Sequence, residues 1–184
     1  ISLEERVAVL GDSLAEAAPV DPRIRRIATK IVSPLPRTET RERTRKLYRW
    51  VLPNVEEGPE ADGRRVIVGK RGNRWRAFMT LCRSLGIKTE YAVAKNRLSP
   101  AAPGQITQAT QYVEPLVRVS TGQGPIWLTV ASKFAPFGYV PAEIRGVEAF
   151  VLTEAGPKKI VTPAGGTEDS VTYEGTVDLA ADGS

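Results

Sequence analysis

The chain has 184 residues, 41% hydrophobic and 26% charged, with a formal net charge of +5, which is enough for one ordinary domain that buries its own core without disulfides or metal. One cysteine and no histidine remove, within this chain, any internal disulfide, any histidine-driven nucleophile and any histidine-ligated metal centre. The positive charge lies in the first part: residues 1–100 hold 21 lysines and arginines against 12 acids, residues 101–184 only 5 against 9.

Helical signals come first along the chain. Ser2 and Glu5 form a capping box before Leu3, Val7, Leu10 and Leu14. Asp21-Pro22 is an N-cap followed by proline at the first helical position, and Ile24, Ile27, Ala28 and Ile31 then repeat on one face. A third helix is predicted from Thr38, with Glu39 and Glu42 in its first turn and Leu47, Trp50 and Val51 inward, stopping before Pro53. Arg41, Arg43, Arg45, Lys46 and Arg49 are assigned to its wet side. A fourth helix is predicted from Asn73 to Leu85, with Trp75, Phe78, Met79 and Cys82 inward and Gly86 ending it.

Beyond Gly86 the period changes to two. Thr89–Ala94, Gln111–Ser120, Ile126–Val130, Ala149–Thr153, Lys159–Val161 and Val171–Val177 are short, rich in β-branched residues and tyrosine, and separated by glycine or proline. Helices followed by a run of strands imply an α+β fold, with N-terminal helices packed on an antiparallel sheet. The expected division is a domain over 1–161, then a linker and the beginning of a further β unit over 162–184. No apolar run approaches the ~18 residues of a membrane span and no signal peptide is visible, so no transmembrane segment is expected. The start at Ile1 suggests a piece of a longer protein.

Three stretches carry a family resemblance. The segment GKRGNRWRAFMTLCRSLGIKTEYAVAK (69–95) resembles the core helix and following strand of transglutaminase-like domains, whose helix ends in a Leu-Leu-Arg-x-x-Gly-Ile type of turn; here that turn is Leu81-Cys82-Arg83-Ser84-Leu85-Gly86-Ile87. Thr38–Val51 resembles the preceding family helix, and Gln111–Val119 with Pro125–Val130 the two strands that carry its histidine and aspartate. Ala135-Pro136-Phe137-Gly138-Tyr139-Val140-Pro141, followed by Arg145-Gly146, is similar to a bacterial branch in which the core sits between β-sandwich domains.

The family works through a cysteine thiolate at a helix N-terminus, a histidine and an aspartate. Carried onto this chain, the nucleophile position falls at Arg71 or at Arg74, the histidine position at or beside Glu114, and the aspartate position at Thr129. None of these residues can do the chemistry, because a guanidinium stays protonated and is no nucleophile. Cys82 lies near the far end of its helix, in register with core residues, and is read as a buried side chain. If an arginine and Glu114 stand where the catalytic pair stood, a salt bridge closing the old site is expected.

Arg64, Arg65, Lys70, Arg71, Arg74 and Arg76 surround a Gly-Asn turn at a helix start, where an anion could dock. A distant non-catalytic relative, the transglutaminase-like domain of a nucleotide-excision-repair damage sensor, binds DNA. Base-stacking aromatics are not interleaved here, so nucleic acid is the weaker option. Tyr48, Trp50, Trp75, Phe78 and Trp127 are assigned to the core, while Phe137 and Tyr139, in a Pro/Gly-containing loop with Phe134, either fold over the old cleft or face a partner. The favoured expectation is a catalytically dead transglutaminase-like domain, without cofactor or metal, serving as a structural or protein-interaction module of a bacterial protein. The resemblance implies a periplasmic or extracellular setting. The runner-up is an anion or nucleic-acid binder through Arg71, Arg74 and Arg76; an enzyme completed by another chain comes last.

Overall fold

Local chemistry at Asp21 and Asn73 starts two of the helices. The computed structural model describes residues 20–98, 112–130, 132–153 and 155–165. Helix α1 (Pro22–Val32) is capped by the Asp21 carboxylate, which accepts from the Arg23 N–H at 2.7 Å, and buries Ile24, Ala28 and Val32. Helix α2 (Thr40–Asn54) buries Leu47, Tyr48, Val51 and Leu52. It does not stop before Pro53 but carries it in its last turn, where only one helical hydrogen bond is lost and the Asn54 side chain donates to the Trp50 carbonyl at 2.9 Å. Trp50 is half-buried, packed against the core from outside.

Helix α3 (Gly63–Gly69), of seven residues, has no counterpart among the sequence-predicted elements. The Asp62 carboxylate caps it by accepting from the Arg64 N–H at 2.9 Å, and Val66 and Ile67 are buried. Gly63 is where α3 touches α4 (Arg74–Ser84): a Cβ there would lie 2.1 Å from Thr80 Oγ1 and 2.7 Å from the Arg76 carbonyl oxygen. Helix α4 buries Ala77, Phe78, Met79, Leu81 and Cys82, and Trp75 is half-buried beside them.

The strands are β1 (Thr89–Lys95), β2 (Tyr112–Thr121), β3 (Gly124–Leu128), β4 (Glu148–Thr153) and β5 (Gly156–Val161). They form one sheet in the order β3-β2-β1-β4-β5, with every neighbouring pair antiparallel. The fold is therefore α+β, with helices and strands segregated as the sequence order predicts. The predicted helix at Leu3–Leu14, the predicted strand at Val171–Val177 and Gln111 lie outside the described residues.

Alternation gives the sheet two buried faces. Tyr91, Val93, Val117, Val119, Ile126, Leu128, Phe150 and Leu152 join the helices in the main core. Ala92, Ala94, Leu116, Trp127, Ala149 and Val151 line the opposite face and pack with Val140 and Ile144, the latter in a 3-10 turn at Ala142–Ile144. Thr162, one residue past β5, is buried, and its hydroxyl donates to the Ile144 carbonyl at 2.6 Å.

Candidate functional site

The start of α4 is held by backbone bonds. Gly72 N–H donates to the Glu56 carbonyl and Asn73 N–H to the Glu60 carbonyl, each at 2.8 Å, while Glu56 N–H reaches the Lys70 carbonyl at 2.9 Å. Gly72 has φ +137°, and a Cβ on it would meet Val66 Cγ2 at 2.6 Å. This backbone path fixes the two candidate nucleophile positions differently. Arg71 precedes the helix in a bridge with Glu56 and is exposed. Arg74 is the first helical residue, after the Asn73 cap.

Arg74 is the better geometrical match to a helix-N-terminal nucleophile, and its side chain is engaged there. Its Nε donates to the Val55 carbonyl at 2.8 Å, and its guanidinium lies 3.7 Å from the Glu57 carboxylate. The partner is therefore not Glu114. The Glu114 carboxylate accepts instead from the Asn96 side-chain amide at 3.0 Å. The reason is the pleat: Glu114 is in register with Ala94, whose side chain lies on the sheet face away from the helices. The salt bridge expected between an arginine and Glu114 is not formed among the described residues.

Thr129 follows β3 and is buried at 6% exposure. Its carbonyl accepts from the Tyr48 hydroxyl at 2.8 Å, and the same hydroxyl is 2.9 Å from the Ala135 carbonyl. Arg74, Glu114 and Thr129 thus have different partners: Val55 and Glu57 for the first, Asn96 for the second and Tyr48 for the third. Tyr48 ties α2 to the segment after β3, and it stacks edge-on against Phe78 of α4 at 6.1 Å and Phe137 at 5.6 Å. Burial pushes its hydroxyl pKa well above the ordinary tyrosine value, so it stays a donor.

Phe137 thus folds onto α2, with the Arg41 and Arg45 guanidinium groups 5.9 and 5.2 Å from its ring centre. Tyr139 faces Arg145 at 5.4 Å, and Phe134 is 81% exposed. Arg76 stacks over Trp75 at 4.6 Å, and Trp75 in turn lies 4.2 Å from Tyr91. Arg71, Arg74 and Arg76 therefore have three different environments: exposed, bonded at the end of α2, and stacked on aromatic rings. Cys82 is buried at the other end of α4, and loss of hydration raises its thiol pKa far above the ordinary value despite the nearby positive charge of Arg43.

Arg43 itself corrects the wet-side assignment, being 7% exposed. It stands four residues before Leu47 and eight before Val51, on the buried stripe of α2, and that i, i+4, i+8 spacing is a sequence signal that its charge obscured. It lines a cleft of about 560 Å³ between α1, the turn at 33–37 and the C-terminal end of α4. Sequence reasoning did not anticipate this cleft, because its walls join residues 20–43 to residues 83–86, about forty positions further along the chain.

No protein-family model matches the chain, and no curated protein matches it. Among solved structures it is similar to a "putative protease" from Parabacteroides distasonis, with a TM-score of 0.64 at 13% sequence identity, over 89% of this chain and 32% of that one. The chain spans about a third of that protein's length. What the two share is a fold.

Proposed function

We propose that this chain is a transglutaminase-like domain without catalytic activity, serving as a structural or protein-interaction module of a larger bacterial protein in the periplasm or outside the cell. The observation that carries this reading is the start of α4. The residue that opens the helix is Arg74, already bonded to Val55 and set against Glu57, in a chain with no histidine and a single thiol buried at the opposite end of that helix. A thiolate attack needs a low-pKa, accessible cysteine, and Cys82 has neither property. The fold likeness to a structure described as a protease supports the ancestry half of the proposal. The packing of Phe137 and Tyr48 over the space between α2 and the segment after β3 supports the structural half.

The test is an assay of the purified chain with a glutamine-bearing protein plus a fluorescent primary amine, and with a mixed peptide library for hydrolysis. No product above the blank is expected in either. Turnover that iodoacetamide abolishes would overturn the proposal.

A further inference from the structure

We propose that the cleft between α1, the 33–37 turn and the C-terminal end of α4 binds a multiply charged oxyanion on an organic body, a phosphate ester or a polycarboxylate, through Arg25, Arg37, Arg43 and Arg83. Arg25, Arg37 and Arg43 come from the stretch that runs through α1 and the 33–37 turn into α2, Arg83 comes from the end of α4, and among the described residues no aspartate or glutamate lines the cleft with them. None of the four takes part in a salt bridge among the described residues. This differs from the start of α4, where Arg74 has Glu57 beside it.

Arg43 is the anchor. It is 7% exposed, its Nε is buried without a hydrogen-bond partner, and its Nη1 reaches the Arg37 carbonyl only at 3.4 Å. A guanidinium does not shed its proton to escape burial, so this charge persists where solvation is poor. Partial offsets exist: Arg83 is in the last turn of α4, where the carbonyl end of the helix favours a cation. Arg25, Arg37 and Arg83 are also exposed to water, so the poorly solvated charge is that of Arg43, with the other three placed around it. An oxyanion would supply the missing charge, and the guanidinium fork matches carboxylate and phosphate oxygens in pairs.

The size and walls of the cleft select the rest of the ligand. At about 560 Å³ it falls in the small-molecule range of roughly 300–1,000 Å³. Val32, Leu35 and Leu85 give it apolar surface beside the charges. The 33–37 turn is held in place by the Lys46 ammonium, which donates to the Ser33 carbonyl at 2.8 Å, so this wall of the site is bonded to α2.

The experiment is isothermal titration of the full chain at low ionic strength with pyrophosphate and, separately, with citrate. Saturable binding of at least one probe is expected. Arg83→Gln and Arg37→Gln, both at exposed positions, should each weaken it about tenfold, the equivalent of one charge-assisted contact, and Arg43→Met should abolish it. Arg49→Gln, which removes the same charge from an exposed position outside the cleft, should leave it unchanged. Preference for pyrophosphate assigns phosphate chemistry to the site and preference for citrate a polycarboxylate. Failure of both probes to bind overturns the proposal, as does an Arg49→Gln loss equal to that of Arg83→Gln. If Arg43→Met does not fold, the Arg83 and Arg37 variants still decide.

Discussion

The two ends of α4 carry arginine under opposite fields. At the N-terminal end the helix dipole disfavours a cation, and Arg74 is nevertheless accommodated by one carbonyl and one carboxylate supplied by residues just after α2. At the C-terminal end the dipole favours Arg83, yet three more arginines share its cleft without a carboxylate among the described residues of the wall. The difference separates a settled charge from an unsettled one. At the N-terminal end the chain's own groups meet the arginine, and at the C-terminal end no salt bridge among the described residues does.

The largest expected effect breaks the N-terminal end alone. Gly63→Ala places a methyl group 2.1 Å from Thr80 Oγ1 and 2.7 Å from the Arg76 carbonyl oxygen, forcing α3 away from α4. Overpacking against backbone should destabilise the chain by about 3 kcal/mol, measured by chemical denaturation. Amide exchange should rise around Gly72–Arg76 more than around Arg83–Gly86. Equal loosening at both ends would mean that α4 responds as one rigid unit and that the contrast between its ends is not mechanical.

The second effect sits between the ends. Tyr48→Phe keeps the ring against Phe78 and Phe137 but removes the hydroxyl that reaches the Thr129 and Ala135 carbonyls. Leaving a buried carbonyl without its donor should reduce stability by about 1.5 kcal/mol, read from the denaturation midpoint. A neutral result would show that water replaces the hydroxyl and that the segment after β3 is held by packing alone.

A smaller effect comes from Asp62, which caps α3 and pairs with Arg64 at 2.9 Å. Hydrogen bonding to Arg64 holds its carboxyl down at about 2. A folded-state value below the unfolded one means that the contribution is present above about pH 4 and is lost as pH falls toward 2. Asp62→Asn retains a good cap and deletes the charge, so at neutral pH it should lower stability by only about 0.5 kcal/mol, as befits a solvent-exposed pair. Its stability should change less than the parent's between pH 4 and 2. An identical acid profile in both proteins would assign the acid sensitivity to other carboxylates.

What could be read from the chain beforehand was mostly local. Asp21-Pro22 and Asn73 announced their helices because capping depends on a few neighbouring residues, and the change to period two after Gly86 marked the strands. Helix α3 escaped because two glycines and a Val-Ile-Val run make a poor helix in isolation; it depends on the Asp62 cap and on packing against α4. Arg43 was misplaced because its charge outweighed its spacing. The cleft it lines joins residues far apart in sequence, and no periodicity reports that.

Glu114 shows the same limit at the scale of one residue, and it yields the smallest expected effect. Placing the family's histidine there depends on which sheet face the position presents, and a β-bulge between Ala94 and Lys95 interrupts the alternation nearby. Tyr112, two residues before Glu114, joins the helix-side core beside Phe150, with ring centres 5.1 Å apart, whereas Glu114 pairs with Ala94 and Leu116 belongs to the opposite face. The expected salt bridge with an arginine would have made Glu114→Ala clearly destabilising. With Asn96 as its partner, the substitution should change stability by no more than about 0.5 kcal/mol, the ordinary range for residues outside the core. A melting temperature lowered by ten degrees or so, well beyond the roughly 2–4 °C expected per kcal/mol in a chain of this size, would show that Glu114 holds more of the fold than its bond to Asn96.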